Sequence, residues 1–361
     1  MKRAVIHLKK AFFAELPHEV FRNEAFQVEL FRYPTGIEAI RVSQDRGHVV
    51  ILPYYGHMIW EAVFDGVPLK LENRFQAPRP AADIVGTYGC FMYHSGLLRN
   101  GNPGPGDTHA LHGEMPLAPM DQARIEAGED ASGPWLAIVG ERDYLMGFGD
   151  HYRACPRVLL RPGATTFEIA MDVENLGADP MDLMYMCHAN FAFVDGGQIL
   201  QPARFDRQDT VVRTSVPAIV KSDPEYLQRI AAMREDPSAT ERLDATQGFD
   251  PELVFYIRHL QPAADGLVHV MLRRPAGDAF SMVYDPEQFS HLVRWILANH
   301  KQKVCAFAMP ATCGVEGYLA EAEQGHVRTI QGGQTAHFSI RLGYLDAGAA
   351  AAEAQVIGAC R

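Results

Sequence analysis

The sequence predicts an all-β fold of antiparallel sheets carrying one short helical insertion. Short apolar or alternating runs recur at intervals of roughly ten residues with tight turns between them, as in a sandwich or barrel. No strand–helix–strand alternation is visible, so nothing points to a parallel sheet. Between Ser222 and Gln247 the apolar period lengthens from two residues to that of a helix.

The strand candidates begin with Glu29 to Tyr33, a Pro34-Thr35-Gly36 turn and Ile37 to Val42, followed by His48 to Pro53 and Met58 to Phe64 with an Asp65-Gly66 turn. From Asn73 to Met120 the pattern dissolves into a Gly-, Pro- and His-rich stretch, read as a long functional loop because its aromatic content argues against disorder. Strands return at Trp135 to Glu141 and Tyr152 to Leu160. In the next run, Thr165 to Asn175, Phe167, Ile169, Met171 and Val173 point inward, and Glu168, Asp172 and Glu174 are among the outward residues.

The segment Tyr185 to Phe193 follows and is expected as the next strand of the same sheet. Its two-residue period sets His188 and Asn190 on one face and Cys187, Ala189 and Phe191 on the other. A histidine beside an asparagine can bind hydroxyl groups and move a proton near neutral pH. A buried histidine with a satisfied hydrogen bond is the competing reading.

Ser222-Asp223-Pro224-Glu225 supplies an N-cap with proline in the first turn, and Tyr226, Leu227, Ile230, Ala231 and Met233 follow at helical spacing. Strands resume at Leu253 to Arg258, Gly266 to Leu272 and Ser281 to Asp285. Phe289 to Ile296 is expected to be helical or mixed, before strands at Val304 to Pro310 and Thr335 to Leu345 and an alanine-rich end.

Composition narrows the function. A net charge of -11 with no run of basic residues argues against nucleic acid as a partner. The amino terminus is basic but has no apolar signal core, and no apolar run approaches membrane-spanning length. A cytoplasmic protein without a membrane partner is expected, and a homodimer is left open. The six cysteines are widely spread with no CxxC pair, which reads as reduced thiols and makes cysteine-bound zinc unexpected.

Two further pieces carry chemistry. In His112-Gly113 the glycine permits close backbone approach or an unusual φ, and Pro310 to Gly317 is a glycine-punctuated loop bearing Glu316. With His188 these give two histidines and a carboxylate on separate segments, enough for general acid and base work. His94 and His109 read as loop structure, and Trp60, Trp135 and Trp295, whose rings could stack on sugar faces, as core, since each strand carries only one. Asp107, His109 and His112 imitate a metal site without the spacing of an established one.

Taken in order, Leu97 to His112-Gly113, Cys187-His188-Ala189-Asn190-Phe191, Pro310-Ala311-Thr312 to Glu316-Gly317, and Gly332-Gly333-Gln334-Thr335 leading into an aromatic strand resemble the aldose 1-epimerase superfamily, more closely its DUF4432 branch, over about Arg41 to Leu345. The resemblance implies a galactose mutarotase-like supersandwich over residues 1–346, the helical insertion at about 222–247, and an alanine-rich tail at 347–361. It implies a small-molecule carbohydrate as partner, no metal or organic cofactor, and ring opening at the anomeric carbon by paired proton transfers.

By the same resemblance His188 is the general acid at the ring oxygen, and His112 binds hydroxyls and the ring. The family carboxylate opens the C-terminal motif, where Met309 or its neighbours stand here, and Glu316 seven residues later is the carboxylate expected to act as base. Arg99, Asn190 and Asp250 are the expected substrate-binding residues. Two other functions compete: a sugar-binding protein that has lost its base, and a metal-assisted sugar isomerase using the histidine-rich loop.

Overall fold

A strand with one apolar face must bury it against a second layer, and here two antiparallel sheets do so, in a computed structural model that describes residues 3–360. Met1 and Lys2 of the basic amino-terminal stretch and Arg361 of the alanine-rich tail lie outside the described residues.

The amino-terminal part supplies β1 (Ala4–His7), β2 (His18–Arg22), β3 (Gln27–Arg32), β4 (Glu38–Gln44), β5 (Gly47–Leu52), β6 (Met58–Phe64), the two-residue β7 (Val67–Pro68) and β8 (Met92–Leu97). Then come β9 (Gln122–Asp130), β10 (Gly133–Leu145), β11 (His151–Leu160), β12 (Thr166–Asn175), β13 (Met181–Ala189), β14 (Gln198–Leu200) and β15 (Thr210–Val212). After helix α1 (Pro224–Glu235) follow β16 (Leu253–Ile257), β17 (Val268–Arg273), β18 (Ala279–Tyr284), β19 (His291–Ala298) and β20 (Lys303–Ala311). The short α2 (Tyr318–Glu323), β21 (Arg328–Ile330), β22 (Thr335–Leu345) and α3 (Ala347–Gly358) complete the chain.

One sheet has nine strands in the order β1-β9-β10-β11-β12-β22-β18-β17-β14. The other has thirteen, running β15-β16-β19-β20-β13-β8-β6-β5-β4-β3-β2, with β21 on β13 and β7 on β6. The main core lies between the sheets. Phe191 sits at its centre with no exposed surface, its ring 5.0 Å from that of Phe91, 4.8 Å from Phe307 and 5.3 Å from Phe280.

The larger sheet is apolar on both faces. On β20, Cys305 and Phe307 join the main core, whereas Val304, Ala306 and Met309 form a separate cluster with Met186, Val293 and Trp295 on the opposite face. That second face carries the site.

Three readings of the sequence are corrected. Phe289 to Ile296, expected to be helical or mixed, contains most of strand β19; Leu292 and Ile296 enter the main core while Val293 and Trp295 enter the other cluster, so the two-residue period is hidden by apolar residues on both faces. The segment after β12 does not continue its sheet: β13 lies in the other one, between β20 and β8. The difference shows in burial, since β12 has a half-buried outer face and β13 is covered along nearly its whole length. Finally, β8 lies inside the stretch read as a long loop, where its Met-Tyr-His-Ser-Gly-Leu sequence mixes polar residues and glycine into a central strand.

The helical insertion forms as its capping residues demand. The Asp223 carboxylate accepts from the Tyr226 amide at 2.8 Å, and Pro224 stands in the first turn. At the carboxyl end, Ala350 and Ile357 of α3 bury against Met271 and Ala279. His269 of β17 sits between Glu353 of α3, 2.7 Å from Nδ1, and Asp265, 3.1 Å from Nε2. All six cysteines are free thiols. Among the described residues no helix is long and apolar enough to cross a membrane.

Candidate active site

Strand β13 has the alternation its sequence announces: Tyr185, Cys187, Ala189 and, just beyond the strand, Phe191 face the core, while Met186 and His188 face a cleft of about 480 Å³. Cross-strand register sets the first neighbour. His188 lies opposite Tyr93 of β8, and the rings stack 4.5 Å apart at 17°. The edge of His112 approaches to 5.0 Å between centroids, the indole of Trp295 to 5.9 Å, and the Tyr88 hydroxyl lies 3.3 Å from Nε2. The Nδ1 atom of His188 is buried without a hydrogen-bond partner.

His112 reaches the cleft from a strained turn. Its own φ is +63° and that of Gly113 is +80°, and a Cβ at Gly113 would lie 2.0 Å from the Arg99 carbonyl oxygen. Both reasons for a glycine therefore apply at this position. Ser95, two residues along β8 from Tyr93, holds His112 Nδ1 at 3.0 Å and donates to Asn100 at 2.5 Å.

Burial governs the protonation of both histidines. It pushes His188 well below the usual imidazole range, with the neighbouring charge of His112 adding to the effect. It likewise pushes His112 down to about 3, helped by His109 and Arg213. Near neutral pH both rings are uncharged, each able to donate through one nitrogen and accept through the other.

The two carboxylates near the site have opposite fates. Glu316 does not line the cleft but faces a neighbouring cavity of about 620 Å³. Arg213 grips it from the cleft side, Nε to Oε1 at 2.9 Å and Nη2 to Oε2 at 3.0 Å, and Ser215 and Tyr256 also donate to it. Burial raises its pKa, but these bonds and the Arg213 charge outweigh burial and leave it below the ordinary value. Glu252 does line the cleft, accepting the Trp295 indole N–H at 2.7 Å. Burial raises its pKa more than the indole and Arg213 lower it.

The cleft thus brings together His188 and His112 of the residues expected from the sequence. Glu316 stands behind Arg213. Arg99 lies over the Tyr318 ring at 3.6 Å, donates to the Leu98 carbonyl and lines a third cavity. Asn190 is fully buried, donating to the Cys90 carbonyl at 3.1 Å and accepting from Tyr88 at 3.4 Å, so it supports the cleft wall. Asp250 is exposed and accepts from Asn299 at 2.9 Å; its neighbours Pro251 and Glu252 line the cleft.

Sequence reading overlooked Glu252, Arg213 and Tyr88; Trp295, read as core, does belong to the buried cluster of the second face and also lines the cleft. Among the described residues no three His, Cys, Asp or Glu side chains gather as metal ligands would. Asp107 and His109 lie 3.7 Å apart, while His112 Nδ1 is occupied by Ser95.

The family model described as "Domain of unknown function (DUF4432)" matches residues 34–344. No curated protein matches the chain. Among solved structures, a Klebsiella pneumoniae protein provisionally named an aldose 1-epimerase superposes with a TM-score of 0.81 at 17% identity, covering 99% of this chain and 96% of its own. A galactose mutarotase-like protein from Clostridium acetobutylicum gives 0.54 at 13% identity, covering 90% and 100%. A galactose mutarotase related enzyme from Lactobacillus acidophilus gives 0.55 at 11% identity, covering 86% and 98%. At these identities the likeness is one of fold.

Proposed function

Because the chain belongs to the DUF4432 family and has the galactose mutarotase-like fold, we propose that it is a carbohydrate epimerase, interconverting the anomers of an aldose or modified sugar by acid/base ring opening at C1. The observation that carries this reading is the pairing of an uncharged, buried His188 with Glu252, a carboxyl whose pKa burial raises, around one indole in a cleft of sugar size.

In this proposal neutral His188 takes the proton from the C1 hydroxyl as protonated Glu252 gives one to the ring oxygen. The C1–O5 bond breaks, leaving an open-chain aldehyde between an imidazolium and a carboxylate. Rotation about C1–C2 presents the other carbonyl face. O5 then attacks C1, Glu252 recovers the O5 proton, and His188 returns its proton to O1. The acid and base roles are exchanged relative to those implied by the family resemblance, because burial favours the uncharged form of each group. His112, held by Ser95, binds a hydroxyl, and Trp295 offers an apolar ring face to the pyranose.

The test is exchange NMR of α and β anomers across an aldose panel, with His188→Ala as control. Exchange above the uncatalysed rate that disappears in the variant supports the proposal. Sugar binding without accelerated exchange across the panel would favour the binding-protein reading instead.

A further inference from the structure

The chain carries a net charge of -11, yet the ionised side chains of its cleft are mostly positive. Arg74, Arg213, Lys221 and Lys301 line it, against Glu252 as the carboxylate among the lining residues. Burial raises the Glu252 pKa, and its carboxyl is engaged by the Trp295 indole rather than by any of the four cations.

The four cations come from four separate parts of the chain: the loop after β7, the segment after β15, the approach to α1 and the turn between β19 and β20. Among the described residues Arg74, Lys221 and Lys301 make no side-chain ion pair, and all three are exposed. Arg213 is different: it is 7% exposed, its Nε and Nη2 are spent on Glu316, and its Nη1 is buried with no hydrogen-bond partner. An unmade bond on a buried guanidinium is costly, and an acceptor oxygen brought against Arg213 at the cleft wall would satisfy it.

We propose that this cleft takes a sugar bearing an anionic substituent, a carboxylate or a phosphoryl group, placed against Arg213 Nη1 and the Arg74, Lys221 and Lys301 cations of its rim. The proposal rests on the carbohydrate reading of the same cleft. A neutral aldose would leave three rim cations and one guanidinium nitrogen unused. An anionic group uses them, and the fixed positive field also speeds capture of a negatively charged ligand.

The test is titration calorimetry on the full chain with a neutral hexose, the matching hexuronate, the matching hexose 6-phosphate and inorganic phosphate, at low salt and at 0.5 M salt. An anionic sugar is expected to bind about tenfold tighter than its neutral parent at low salt, with much of that ratio lost at high salt as surface charges are screened. The hexuronate and phosphosugar arms separate the two sources of negative charge. In the Lys221→Ala/Lys301→Ala double variant the anionic-to-neutral ratio should fall at least threefold, while Lys9→Ala, at an exposed lysine that does not line the cleft, should leave it unchanged.

Equal affinity for neutral and anionic sugars would overturn the proposal while leaving the epimerase reading intact. So would inorganic phosphate binding as tightly as the phosphosugar. Loss of anomer exchange without loss of the anionic preference would count against the epimerase reading instead, so the two failures are distinguishable.

Discussion

Replacing Glu252 by glutamine asks which carboxyl moves the proton. The perturbation is narrow, because the glutamine carbonyl can still accept the Trp295 indole N–H that Glu252 now accepts at 2.7 Å. What disappears is the exchangeable proton. General acid or base catalysis is commonly worth about 10²–10⁴ in rate, or ~2.7–5.4 kcal/mol at 1.36 kcal/mol per tenfold. Anomer exchange in Glu252→Gln should therefore fall by roughly that factor, with sugar affinity changed much less.

The comparison variant is Glu316→Gln. It weakens the paired bonds to Arg213, so it should cost roughly 1–3 kcal/mol of stability and weaken binding while retaining most of the exchange rate. The pH profile adds a second readout. If Glu252 acts as the acid, activity falls as pH rises through its raised pKa, and His188, held well below the usual imidazole range, keeps its base form far into the acid region. Exchange NMR on the two variants across pH decides the matter. Full activity in Glu252→Gln alongside loss in a folded Glu316→Gln would refute the reasoning and return the base to Glu316.

Three further outcomes follow from packing and charge. Phe191→Ala, at the contact of Phe91, Phe280 and Phe307, should destabilise the fold by about 3–5 kcal/mol, read as a lower urea midpoint at unchanged slope. Gly113→Ala meets both a left-handed φ and the Arg99 carbonyl, so thermal unfolding should begin markedly lower and the cleft should lose sugar affinity as His112 shifts. The contacts of His269 with Glu353 and Asp265 raise its folded pKa, with burial opposing. Its contribution is thus fully present below the unfolded value and is lost as pH rises through the folded one. Amide exchange in α3 should accelerate over that window, and Glu353→Gln should flatten the dependence.

How much was legible in advance follows from which faces of each strand are buried. β12 announces itself because Glu168, Asp172 and Glu174 mark its outer face, and α1 because Asp223 and Pro224 mark its start. β19 and β13 are covered on both faces, so periodicity reports neither the type of the first nor the sheet of the second. At the site, His188 and His112 were readable from local pattern and family likeness. Glu252 was not: a carboxylate following the Asp250-Pro251 pair looks like a solvated turn, and its meaning comes from Trp295, 43 residues away. Glu316 was conspicuous for its glycines, but sequence could not reveal that Arg213, 103 residues earlier, grips it from the cleft side.

The position of β22 has a consequence for how the chain comes together. It lies between β12 and β18, with Leu342 opposite Phe167 on one side and Met282 on the other. Until residues 335–345 are in place the nine-stranded sheet exists as two unjoined pieces, each presenting a bare edge. Hairpins such as β10–β11 can form as they emerge from the ribosome, but closure of the sandwich waits for β22, which follows every other described strand in the chain. The carboxyl-terminal strand is the keystone of assembly, and a chain truncated before Thr335 is left with two open templates for aggregation.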